Sequence, residues 1–157
     1  MFLVWLHLLA LVVFLGSLVC LWVLVLSPLP TIESQQDRLA FLTRSLKIYN
    51  PLQIGALGVL LMTGAFRLTA LKASYGAHFA DLFGATLAFK LALAFFVIIF
   101  STYQCMGIGL RFVRAAEQPE GGSVPDMAST VRRLKISTVV IVLLTLWTMF
   151  MGIEIHG

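Results

Sequence analysis

Three histidines, six methionines, two cysteines and a few charges set in apolar sequence are the residues of this chain able to do chemistry. Imidazole nitrogen and methionine thioether are both copper ligands, the thioether favouring the reduced ion. Histidine also ligates haem iron axially. His7 stands early in the first apolar stretch and Arg67 late in the second; His78 and Asp81 follow it, and Lys90 opens the third stretch. Met149, Met151, Glu154 and His156 close the fourth. Ionisable groups inside a membrane are expensive, so their clustering is a functional signal. Other chemistry has no foothold. There is no Cys-x-x-Cys, no Cys-x-x-Cys-His haem attachment motif, no His-Glu-x-x-His and no Gly-rich phosphate loop. No nucleophile is paired with a base, so an enzyme is not the expected class.

These residues can meet only if the chain folds back on itself, and its composition says how. Of 157 residues, 60% are hydrophobic and 11% charged, against about 45–50% and about 25% in soluble domains. Mean hydropathy is +0.99. Disorder, a basic nucleic-acid surface and a secreted disulfide scaffold are excluded. A membrane helix needs about 20 mostly apolar residues. Four stretches qualify, at about 2–26, 48–71, 86–112 and 136–155. The expected fold is all-α and integral to the membrane: one domain, residues 1–157, of four transmembrane helices in an antiparallel bundle. The first stretch lacks a basic start and a small-x-small cleavage site, and ends in Ser27-Pro28-Leu29-Pro30. It reads as a helix stopped by prolines and not as a cleaved signal.

The basic residues set the orientation. Arg38, Arg44 and Lys47 lie after the first stretch, and Arg111, Arg114, Arg132, Arg133 and Lys135 after the third. Only Arg67, Lys72 and Lys90 fall on the opposite side. The positive-inside rule makes the first side cytoplasmic. In a bacterial inner membrane both termini then face the periplasm, and every histidine falls on that outer side. The third loop, around Pro119–Pro125, is expected to be a flexible turn region. Arg44-Ser-Leu-Lys-Ile and Arg133-Leu-Lys-Ile form a faint repeat two helices apart, consistent with parallel repeats or with basic residues at two cytoplasmic ends.

Polar residues at helical spacing mark faces turned from lipid. Gln53, Leu57, Leu60, Gly64 and Arg67 form one such stripe. Lys90, Ala94, Val97, Ser101, Gln104 and Ile108 form a second, and Thr138, Thr145, Met149, Gly152 and His156 a third. Gly55, Gly58, Ala65 and Thr69 make a separate small-residue face, suited to close helix packing. The first helix offers two opposed faces, His7 with Leu11, Phe14 and Leu18, or Gly16 with Cys20. The pattern does not choose between them.

Two ligand sets follow. A copper site would draw on His7, Met62, Met149 and His156, with Met151 nearby; Cys20, Cys105 and Met106 would form an inner station of soft ligands. A haem b site would use His7 as axial ligand, with Arg67 and Lys90 on the propionates. Each residue also has a structural role to fill: Arg67 and Lys90 snorkelling, Glu154 pairing with one of them, methionines packing. The small-residue faces also suit an accessory subunit of a larger membrane complex, or a homo-oligomer. The bilayer is the expected partner and nucleic acid is not.

The first helix, Trp5-Leu-His7-Leu-Leu-Ala-Leu-Val-Val-Phe-Leu-Gly16-Ser-Leu, followed by Pro28 and Pro30, resembles that of the copper-resistance CopD membrane domain. Thr63-Gly64 is similar to that family's Thr-Gly, and Gly84-Ala-Thr-Leu-Ala-Phe-Lys90-Leu-Ala-Leu to the opening of its third helix. Phe14 stands where the family has tryptophan, and Ser17 where it has a second glycine. The resemblance implies copper handling near the periplasmic face, through His7 and Lys90. The chain is distantly similar to the HemJ protoporphyrinogen oxidases, small four-helix haem-associated membrane proteins with an early histidine and a lysine opening the third helix. Here Tyr103-Gln104 replaces their Tyr-His, and Arg133-Leu-Lys-Ile-Ser-Thr the start of their fourth helix.

Overall fold

The computed structural model describes residues 2–76, 79–118 and 126–154, and its regular structure is entirely helical. Helix α1, Phe2–Cys20, runs on through a π-helical turn, Leu21–Leu26. There the Ser27 N–H donates to the Trp22 carbonyl at 3.0 Å. Pro28 and Pro30 have no N–H to continue the ladder, and the span closes in a 3-10 turn, Leu29–Thr31. The Arg38 guanidinium fixes this exit by donating to the carbonyls of Pro30, at 3.1 Å, and Ile32. Ser34 is extended and its hydroxyl accepts from the Asp37 N–H at 3.4 Å, which caps α2.

Helix α2, Gln35–Tyr75, has 41 residues. At 1.5 Å per residue it is about 60 Å long, twice the hydrocarbon core of a bilayer. It ends at Gly76, whose φ of +54° suits a residue without Cβ and whose N–H returns to the Lys72 carbonyl. Helix α3, Phe79–Thr102, passes without a break into a π-helical segment, Tyr103–Leu110, and then α4, Arg111–Glu117. Helix α5, Met127–Glu154, starts on Asp126, whose carboxylate accepts from the Ala128 N–H at 3.1 Å. Four helical stretches, Phe2–Thr31, Gln35–Tyr75, Gly84–Glu117 and Met127–Phe150, are long and apolar enough to cross a membrane.

The helices outrun the apolar windows. Arg38, Arg44 and Lys47, expected in a loop and its flank, lie on the first turns of α2, and α5 starts nine residues before its apolar window. The reason is amphipathicity: no glycine or proline interrupts 35–50, and Leu42, Leu46 and Tyr49 bury one side of that stretch. The Pro119–Pro125 loop lies outside the described residues.

The broadest packing is α1 on α2 and α3 on α5, with the π-helical segment bridging α2 and α5. One core draws on all four spans: Phe14 and Leu18, Leu46 and Leu57, Val97 and Ile108, Leu134 and Ile141. The choice left open for α1 is made here. Ala10, Phe14, Ser17 and Leu18 are buried, His7 is half-buried on the same side, and Gly16 and Cys20 are exposed. Gly55, Gly58, Ala65 and Thr69 are exposed too. A Cβ at Gly16, Gly55 or Gly58 would meet nothing within 4 Å.

Phe14→Ala should therefore destabilise the protein by about 3 kcal/mol through lost packing. Val12→Ala, on the exposed face of α1, should change stability by less than about 0.5 kcal/mol. Denaturant unfolding in detergent micelles checks both.

Candidate functional site

His7, one turn before the buried stretch of α1, is met by the last buried turn of α2. Its Nδ1 lies 2.7 Å from the Thr63 hydroxyl. That hydroxyl is also 2.7 Å from the Val59 carbonyl and 3.2 Å from the Leu60 carbonyl. A hydroxyl has a single proton. Carbonyls only accept, so the proton goes to Val59 and Oγ1 accepts from the Nδ1–H of His7. A neutral ring that donates from Nδ1 to this hydroxyl carries its lone pair on Nε2; the Leu60 carbonyl also reaches the ring. Metal-bound histidines are oriented in the same way, by a partner on the other ring nitrogen.

Gly64 completes the seat. A Cβ there would lie 3.7 Å from His7 Cε1, so the ring rests directly over the α2 backbone. Arg67, one turn further along α2, is exposed, and Lys90, about three turns into α3, is half-buried; the charges of both act on the ring. Neither is in an ion pair among the described residues, where Lys47 with Glu117 is the pair that forms. The side chains of Asp81 and Glu154 lie outside those described. The arrangement is an imidazole seated between α1 and α2, with the charges of Arg67 and Lys90 near enough to act on it.

The residues of the copper set are placed differently. Met62 adjoins Thr63 in sequence, yet its side chain is 63% exposed: one residue along a helix rotates a side chain by about 100°. Met149 is 39% exposed. His156 and His78 lie outside the described residues, as does the side chain of Met151. Cys105 is buried and Cys20 exposed, and Met106 is exposed, so the two cysteines occupy unlike surroundings. Among the described residues, no three His, Cys, Asp or Glu side chains are grouped as a metal site.

Thr63 was not among the candidate ligands or stripe residues, although it follows Gln53 by ten residues on the same buried face. Its signal was available: a hydroxyl inside an apolar helix must find an acceptor or a partner.

No protein-family model matches the chain, and neither does any curated protein or solved structure. Fold and composition define its class, a multi-pass helical membrane protein.

Thr63→Val keeps the shape and removes the acceptor. The 15N chemical shifts of the His7 ring should report the Nδ1–H tautomer in the native protein and a shift toward Nε2–H in the variant. The expected stability loss is about 1 kcal/mol, the scale of one hydrogen bond between helices in a membrane. Gly64→Val should push the ring off its seat and change the same resonances, while Gly64→Ala is accommodated.

Proposed function

We propose that this chain is a four-helix bacterial inner-membrane protein with both termini in the periplasm, and that it binds haem b at its periplasmic side. What supports this reading is a histidine oriented through Nδ1 by Thr63, with the charges of Arg67 and Lys90 acting on its ring. His7 would ligate the haem iron through Nε2, and Arg67 and Lys90 would neutralise the two propionates. Arg67 offers a fork of N–H donors matched to a carboxylate, and Lys90 a point charge. Thr63 holds the imidazole in the ligating tautomer, and the missing side chain at Gly64 lets the ring lie against α2. When bound, the haem supplies one-electron redox chemistry; the protein's part is ligation, orientation and charge neutralisation.

Orientation rests on the positive-inside rule, with eight basic residues on the cytoplasmic side. The length of α2 fits it, since the stretch carrying Arg38, Arg44 and Lys47 extends beyond the bilayer. A bare copper ion at His7 is the less favoured occupant. Arg67 and Lys90 repel a cation, and Met62 faces the surroundings.

Titration of the purified protein with haem b should give a Soret band of one haem per chain. His7→Ala should abolish it. Arg67→Leu and Lys90→Leu should each weaken binding about tenfold, the loss of about 1.4 kcal/mol. No Soret band, with stoichiometric Cu(I) lost in His7→Ala, would replace haem by copper. Neither ligand, with co-purification in a larger complex, would make the chain an accessory subunit.

A further inference from the structure

A second polar site lies deeper in the molecule. Gln53 is ten residues from Thr63 along α2, about 15 Å from the His7 seat. Asn50, Gln53, Ser101 and Gln104 are each no more than 3% exposed, and Tyr49 is buried beside Asn50. The Asn50 amide is wedged against the π-helical segment, so that a Cβ on Gly109 would fall 2.6 Å from its oxygen. Gln53 accepts from Ser17 of α1, and Gln104 donates to Thr138 of α5 at 2.9 Å. Four spans thus turn uncharged polar side chains toward one region.

Those bonds do not satisfy the cluster. Tyr49 Oη, both amide atoms of Asn50, Gln53 Nε2, Ser101 Oγ and Gln104 Oε1 have no hydrogen-bond partner among the described residues. A buried polar group without a partner costs about 1–3 kcal/mol, and hydrocarbon offers no substitute. Six open atoms in one cluster therefore point to a ligand. The set fixes its chemistry: amide N–H groups donate, amide and hydroxyl oxygens accept, and no side chain in the set is ionised. A divalent cation lacks a carboxylate here and an anion lacks a cation. What fits is a small neutral molecule that both donates and accepts.

We propose that Tyr49, Asn50, Gln53, Ser101 and Gln104 form an internal water-binding site. About two waters, each making about three hydrogen bonds, match the six open atoms. The backbone around the site agrees. Pro51 in α2 leaves the Lys47 carbonyl without its usual N–H, and the Tyr103–Leu110 segment is π-helical, a conformation found mostly as a local interruption and frequently at functional sites. Phe14, Leu57, Val97 and Ile141, all buried, stand between this site and the outer histidine. The two are separate compartments, and the water site does not depend on what His7 binds.

Water–protein cross-peaks in NMR spectra of the full chain in lipid nanodiscs test this. The side-chain amide protons of Asn50, Gln53 and Gln104 should exchange magnetisation with water. Gln104→Met and Asn50→Leu should each remove the cross-peaks of the amides that remain, with the His7 resonances unmoved. Native amides without water cross-peaks would overturn the proposal, as would a crystal structure in lipid showing the Asn50 and Gln104 amides bonded directly to each other. Both are wild-type measurements, so they decide the matter even if a variant does not fold. Cross-peaks that survive in both variants would also overturn it, because the site would then lie elsewhere.

Discussion

A polar side chain within an apolar span turns to a carbonyl of its own helix or to another polar side chain, and this structure is organised by three meetings of the second kind. His7 with Thr63 and Ser17 with Gln53 join α1 to α2 at two depths. Gln104 with Thr138 joins the π-helical segment to α5. Between helices in lipid the hydrophobic effect supplies no drive, since lipid tails are as apolar as leucine. Hydrogen bonds and close packing therefore select which faces meet. Once His7 and Ser17 turn toward α2, Phe14 and Leu18 follow them into the core, and Gly16 and Cys20 are left outside.

The same constraint divides the interior by charge. At the His7 end, Arg67 and Lys90 remain partly accessible, because an ammonium or guanidinium needs water or an anion close by. About 15 Å further in, the polar groups are all neutral and closed off by packed side chains. A layer of aliphatic and aromatic residues separates the two. Charge stays where it can be solvated or neutralised, and uncharged amides go where it cannot.

Much of this was legible residue by residue. Of the three interior stripes, Gln53, Leu57, Val97, Ser101, Gln104, Ile108, Thr138 and Thr145 are buried, Leu60, Gly64, Lys90 and Ala94 are half-buried, and Arg67 and Met149 are exposed. Periodicity suffices there because each stripe has only one polar face. Helix α1 has two competing faces, so its rotation was not readable until Thr63 and Gln53 were in place opposite. Helix ends were missed for a different reason. Apolar windows mark only the apolar part of a helix, whereas α2 and α5 run past them, held by caps at Ser34 and Asp126. Met62 shows the limit of composition: its residue type suits a metal, but its place on the helix turns it from His7.

Composition and hydrophobic runs alone determined the class and the number of helices long and apolar enough to cross a membrane. These depend on sums over some 20 residues, which no tertiary contact can overturn. Which single atoms face one another was decided only by the packed structure. Nδ1 of His7 meets the hydroxyl of a residue 56 positions away, and the Asn50 amide is wedged against Gly109 across a helix boundary. Pairings of that kind depend on the rotation and depth of each helix relative to its neighbours, and a linear pattern carries neither.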